Sequence, residues 1–198
     1  MKKTLSRLLA AVLCLSVLIT AASCSSETKH PLKAFYDKME KAENYQLVMT
    51  MIDVPFLGTY TVTGKFDGNI EYTAATLFTE EEYIEKDGDV EYKYTKDDSG
   101  KWTKTKVEKT EESEEDMLDE EFSKQLFNPE NYEEVEGEKN TYKQKSDVKF
   151  DECENVKIKV EDESCTIEMS VTSEGMTLNV KLVISEIGKI ELKLPEVE

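Results

Sequence analysis

The chain of 198 residues carries 43 acidic against 25 basic side chains, a net charge of −18, and a single histidine, His30. So acidic a polymer repels nucleic acid and anionic lipid headgroups, both of which are held by clustered Lys and Arg. One histidine leaves no material for Ser-His-Asp or Cys-His catalysis, or for a His-based zinc site. At this length one domain is expected, burying on the order of 70% of the surface its unfolded chain exposes.

The first residues fall into three zones: a basic start (Lys2, Lys3, Arg7), an apolar run from Leu8 to Ala22 broken only by Ser16 and Thr20, and the tetrad Ala21-Ala22-Ser23-Cys24. This is the pattern of a secretory signal peptide over residues 1–23; the run is short for a spanning helix, which needs about 20 apolar residues. The tetrad is similar to the lipobox of bacterial lipoproteins, with Ala21 where Leu is usual, and it makes Cys24 the residue that carries the lipid. An ordinary cut after Ser23, leaving Cys24 free, is the alternative. Loss of the leader removes Lys2, Lys3 and Arg7 and no acid, so the mature charge is −21 and no arginine remains. The expected membrane partner is therefore reached through the N-terminal lipid, on the extracytoplasmic side, and not through a basic patch. Residues 24–30 read as a tether closed by Pro31, and residues 31–198 as a single, monomeric domain.

Along the body, Leu32, Phe35, Tyr36, Met39 and Ala42 fall on one stripe and predict an amphipathic helix over 31–44, with Pro31 at its start. From Tyr45 the period becomes two. Tyr45/Leu47/Met49/Met51, Tyr60/Val62/Phe66, Ile70/Tyr72/Ala74 and Val90/Tyr92/Tyr94 alternate with polar residues, and turn chemistry at Asp67-Gly68-Asn69, Lys86-Asp87-Gly88-Asp89 and Asp97-Asp98-Ser99-Gly100 predicts a meander of hairpins. Eight of the eleven residues from Glu111 to Glu121 are acidic, a charged loop leading into a second helix over Met117–Phe127 that Pro129 stops. Strands resume near Thr141 and continue as Val156/Ile158/Val160, Cys165/Ile167/Met169/Val171, Met176 to Ile184 and Ile190/Leu192/Leu194. Nearly every strand has one apolar face, which a flat sheet leaves wet. The predicted fold is α+β, mainly antiparallel β: one strongly curved sheet, a half-barrel, with both helices on its concave face.

Cys14 leaves with the signal, so only Cys153 and Cys165 remain to pair. A hairpin about Glu161–Ser164 sets Cys165 opposite Val160 and Cys153 about seven residues away, roughly 24 Å, which predicts two free, partly buried thiols ahead of a bridge. Gly-rich phosphate motifs are absent, and the Glu111–Glu121 run lacks the glycine-bearing spacing of an EF-hand. No catalytic residue, metal site or cofactor is expected, and the chain is not expected to be an enzyme. For the concave face the sequence offers Met49, Met51, Tyr60, Tyr72, Tyr92, Trp102, Met169 and Met176, with Tyr94 beside them. Thioethers suit a flexible acyl ligand, although the same residues also serve plain core packing.

This order of helix, hairpin meander, short helix and further strands ending in Gly188-Lys189-Ile190-Glu191-Leu192-Lys193-Leu194-Pro195, together with the lipobox at Cys24, resembles the LolA/LolB and LppX-like group of bacterial lipoproteins and lipoprotein carriers. The resemblance covers about residues 31–195. It implies a half-barrel closed by helices around an acyl chain or lipid, hence a carrier or sensor of a hydrophobic ligand; the pocket arginine of the soluble carriers has no counterpart here. The other expectation is a non-enzymatic surface module that docks a protein or glycan through its acidic face.

Overall fold

The structure is a computed structural model describing residues 29–76, 81–88, 90–97, 99–107, 120–150, 153–173 and 175–197. The signal peptide, Cys24 and most of the acidic run lie outside the described residues.

Pro31 opens helix α1 (Pro31–Lys41), His30 caps it by accepting from the Leu32 amide through Nδ1 at 3.3 Å, and Leu32, Phe35 and Met39 form its buried stripe. Lys38 and Lys41 in the last turn suit the negative end of the helix dipole. The chain then builds β1 (Asn44–Val54), β2 (Gly58–Asp67), β3 (Ile70–Ala75), β4 (Glu81–Asp87), β5 (Val90–Lys96) and β6 (Trp102–Val107). Next come α2 (Glu120–Leu126), a 3₁₀ turn (Pro129–Asn131), β7 (Tyr132–Glu134), β8 (Thr141–Gln144), β9 (Cys153–Val160), β10 (Cys165–Ser173) and β11 (Met176–Ser185). Of the second predicted helix, residues 117–119 lie outside the described residues, and α2 ends at Leu126, one residue before the predicted Phe127.

The strands form one antiparallel sheet of eleven, in the order β6-β5-β4-β3-β2-β1-β11-β10-β9-β8-β7. It is open: β6 and β7 are its two edges. Two meanders are joined at the centre by β1 and β11, with Met49 opposite Leu182 and Met51 opposite Val180.

One core cluster takes Tyr45, Leu47, Met49 and Met51 from β1, Tyr60, Val62 and Phe66 from β2, and Leu178, Val180, Leu182 and Ile184 from β11. To these it adds the apolar sides of β7 to β10, Leu32, Phe35 and Met39 of α1, and Leu126 and Phe127 at the end of α2. Phe127 joins the helices, its ring centroid 6.1 Å from Phe35 and 5.5 Å from Tyr36. The Tyr132 hydroxyl donates to the Leu126 carbonyl at 2.7 Å and fixes α2 to β7.

Beyond β2 the apolar face changes sides. Phe66 stands opposite Glu71, and Gly64 opposite Thr73, so the face that is core on β2 continues on β3 as Glu71 and Thr73. Both are buried, and Lys86 holds the Glu71 carboxylate at 2.5 Å. Tyr72 points the other way. It stands opposite Tyr83, Tyr83 opposite Tyr94, and Tyr94 opposite Lys104. Directly opposed residues share a face, so strands β3 to β6 carry their aromatics on the side that is polar on β1 and β2.

The run Ile190/Leu192/Leu194, predicted as a last strand, is not one. Its residues still alternate between buried and more exposed, but β11 is already paired on both edges, by β1 and β10, so no ladder position is free for it. The Ile190 and Leu192 amides donate instead to the side chains of Asn44 at 3.0 Å and Asp67 at 2.7 Å.

Candidate functional site

The register separates the residues expected to share a ligand surface into two groups. Met49, Met51 and Tyr60 are 3%, 0% and 1% exposed within the core, and Met169 and Met176 pack against that core from β10 and β11. These five share one face and are engaged by other side chains. Tyr72, Tyr92 and Trp102 lie on the opposite face, with Tyr94 and Tyr83. The reason is the tight turn at Gly68-Asn69, which pairs Asp67 with Ile70 and so sets Tyr72 beside Lys65 instead of beside Phe66.

On that second face the rings of Tyr72 and Tyr83 meet at 4.9 Å, and Tyr83 meets Trp102 edge-on at 5.4 Å. The Lys96 ammonium sits 4.9 Å above the Trp102 ring, and that of Lys104 4.0 Å above Tyr92. The Tyr94 hydroxyl donates to Glu85 at 2.6 Å, while Lys104 pairs with the same carboxylate at 2.9 Å. The bond from Tyr94, then that from Lys104, holds the Glu85 carboxyl below the usual range, whereas burial first and Glu85 second push the Tyr94 phenol up. The stripe is thus a row of half-exposed rings, Tyr72, Tyr83, Tyr92 and Trp102, beside the buried Tyr94 and bordered by ordered charges.

A second feature was not singled out from the sequence. β8 pairs with β9 only through Thr141 to Lys143 against Lys157 to Lys159. Beyond that a bulge interrupts β9, with Asn155 at φ 58, a left-handed value that Asn accepts readily. The Gln144 side chain bridges the parting strands: its Oε1 accepts from the Val156 amide at 3.0 Å, and its Nε2 donates to the Val148 carbonyl at 2.9 Å. Between β8, the segment after it and the first half of β9 lies a cleft of about 710 Å³. Val148, Phe150, Cys153 and Val156 line its inner part and are continuous with the core.

Lys143, Lys145, Lys149 and Lys157 also line it, with Glu154 the one acidic lining residue among the described residues. Lys143 pairs with Glu133 at 3.1 Å and Lys157 with Glu138 at 2.9 Å; Lys145 donates to the Glu130 carbonyl at 2.7 Å, a contact that leaves its charge uncancelled. Lys143 and Lys157 stand directly opposite each other, a like-charge pairing whose cost their ion pairs with Glu133 and Glu138 offset. Phe122 of α2 meets Phe150 edge-on at 6.1 Å at the inner end of the cleft. Periodicity alone does not reveal such a site, because its lysines come from two strands and a loop.

Cys153 and Cys165 are buried and not joined in a disulfide. Cys165 stands opposite Val160 as the hairpin predicts, and Cys153 opposite Val171, six positions away along β10, far beyond the 7 Å Cα reach of a disulfide. Burial pushes the Cys165 thiol up to about 12, so it is a protonated apolar side chain and not a nucleophile.

The topology places three features at one end of the sheet. α1 runs toward the β9–β10 turn, where Lys38 donates to the Asp162 carbonyl at 3.3 Å. At the start of α1 the His30 ring lies tilted 4.8 Å from that of Tyr142, which pairs with Ile158; the opposite end of the sheet holds Cys153 and Thr172 of the cleft and the β1–β2 tip.

Comparison with known proteins finds no family model that matches the chain and no matching curated relative.

Proposed function

We propose that this is a non-enzymatic lipoprotein, held through a lipid on Cys24 on the extracytoplasmic side of a membrane, that binds or senses an amphiphile with an apolar chain and an anionic head. The observation that carries the reading is the β8–β9 cleft: an apolar floor continuous with the core beneath four lysines, in a chain of net charge −18. An apolar chain over Val148, Phe150 and Val156 extends the core, and an anionic head meets the charge of Lys145, with Lys149 beside it and the already paired Lys143 and Lys157 around it. This moves the hydrophobic-ligand site away from Met49, Met51 and Tyr60, which packing already occupies.

The half-barrel curvature, and with it the likeness to the LolA/LolB and LppX-like group, belongs to the same proposal. Seven strands at about 4.8 Å spacing span about 29 Å, while the cover is chiefly one helix of 11 residues, about 16 Å long and 10–12 Å wide. A sheet bent around that helix buries the whole cluster, and a flat one does not.

The aromatic stripe favours a second reading, a docking module. Four strands of about six residues offer roughly 380 Å², about half of the 800 Å² per partner of a standard protein interface, a size suited to a glycan.

Two measurements test the proposal. Wild type should partition into the detergent phase, and Cys24→Ala should be released or remain uncut; equal partitioning of both would mean ordinary cleavage after Ser23. Native mass spectrometry of the mature protein purified from its host should show a bound amphiphile, and Lys145→Glu with Lys149→Glu should lower its retention about tenfold. Protein that carries none, from host or from added palmitate, would leave the aromatic stripe as the functional surface.

A further inference from the structure

Phe56 is 97% exposed at the tip of the β1–β2 hairpin, and Ile52 on the same hairpin is 40% exposed. Between them the chain reads Asp53-Val54-Pro55-Phe56-Leu57-Gly58, where Pro55 is exposed and Leu57 half-buried. The tip is a built turn. Val54 is anchored in the core, the Leu57 amide donates to the Val54 carbonyl at 3.0 Å, and Val54 pairs with Gly58 across the hairpin. Phe56 holds φ 66 in the turn and Asp53 φ 58 within the register shift between Met51 and Val54 of β1. A left-handed backbone is a strained state for a bulky aromatic, one that Gly or Asn would take without cost. The chain thus keeps a strained residue at this position and gains no burial from it, a combination that points to a partner outside the chain.

We propose that the Pro55–Phe56–Leu57 tip is a second membrane contact, inserting into the bilayer that holds the lipid on Cys24. The inference rests on the lipid-anchor reading. Two observations select a bilayer as the occupant. Residues 54–59, Val-Pro-Phe-Leu-Gly-Thr, carry no charge in a chain of net charge −18, which makes the tip one place where the body approaches a lipid surface without electrostatic cost. A single phenylalanine and its neighbours cover far less than the roughly 800 Å² per partner that a standard protein interface needs, yet one buried ring suffices to fix the tilt of a body already held by a lipid. With the tip inserted, the end of the β8–β9 cleft that Thr172 lines is brought toward the surface from which an amphiphile would arrive.

The test uses the mature lipoprotein inserted in neutral phosphatidylcholine vesicles, with and without lipid brominated near the top of its acyl chains. Trp102→Phe with Phe56→Trp puts the sole tryptophan at the tip; Trp102→Phe with Asp162→Trp puts it at the β9–β10 turn, at the opposite end. The tip tryptophan should lose about half or more of its emission to brominated lipid and shift to the blue, as a ring at 5–10 Å depth does, and the Asp162→Trp reporter should lose none. Vesicle-bound protein whose two reporters respond alike overturns the tip contact and leaves the anchor standing. Protein that does not float with the vesicles overturns both.

Discussion

Val180→Asp is expected to cost several kcal/mol, a large part of the roughly 5–15 kcal/mol that holds a domain together. Val180 is 3% exposed and stands between Met51 on β1 and Met169 on β10, so the new carboxylate has apolar neighbours on both sides. The neighbouring Lys181 points to the other face, opposite Thr50 and Glu168. Burial raises the folded-state pKa of such a group above its unfolded value of about 3.9. The loss relative to wild type is therefore smallest below that value, where the carboxyl is neutral in both states, and grows as pH rises through the folded pKa. Asn179→Asp, one residue away, is exposed and keeps the oxygen that accepts from the Ser170 hydroxyl at 3.3 Å; a change of about 0.5 kcal/mol or less is expected. Urea melts at pH 4 and pH 7 check both. Two wild-type-like melts would deny that β11 is half-buried, and two collapsed variants would require a second layer on the outer face.

How far the sequence reached depends on which physical rule governed each element. Period-two runs marked β1, β2, β3, β5, β9, β10 and β11, because each has one face on a core or an aromatic cluster. They did not mark β4 (Glu-Glu-Tyr-Ile-Glu-Lys-Asp) or β6 (Trp-Thr-Lys-Thr-Lys-Val), which are held by cross-strand pairs such as Lys93–Glu82 at 2.5 Å and Lys96–Glu81 at 2.6 Å, not by a core. Alternation also fixes parity within a strand but not the side a strand presents after a turn. Tyr45 and Tyr72 obey the same rule, yet the pairing of Asp67 with Ile70 puts Tyr72 on the face that Tyr45 leaves to polar residues. The candidate surface was therefore legible as a set of residue types and not as a place. The cleft depends on a bulge at Asn155 and on where β8 ends, and neither leaves a periodic trace.

The cover over the core should fail most completely at Phe127. This residue follows α2, its amide donating to the Ser123 carbonyl at 3.1 Å. Its ring, 3% exposed, packs against Phe35 and Tyr36, so it is the wedge through which α2 holds α1 on the sheet. Phe127→Ala removes that contact and leaves a void that a helix of 7 residues, fixed at one end by the Tyr132 hydroxyl, is poorly able to close; a loss of about 3–5 kcal/mol is expected. Tyr83→Ala provides the contrast. Tyr83 lies outside the core cluster and contributes through its edges to Tyr72 and Trp102, so about 0.5–1.5 kcal/mol is expected there. Hydrogen exchange adds the spatial test: Phe127→Ala should lower protection across Pro31–Lys41 while β1 and β11 keep theirs, because their ladder does not pass through the helices. A loss of under about 1 kcal/mol, with α1 as protected as in wild type, would mean that the sheet holds α1 without α2, and that the two helices are separate attachments and not one cover.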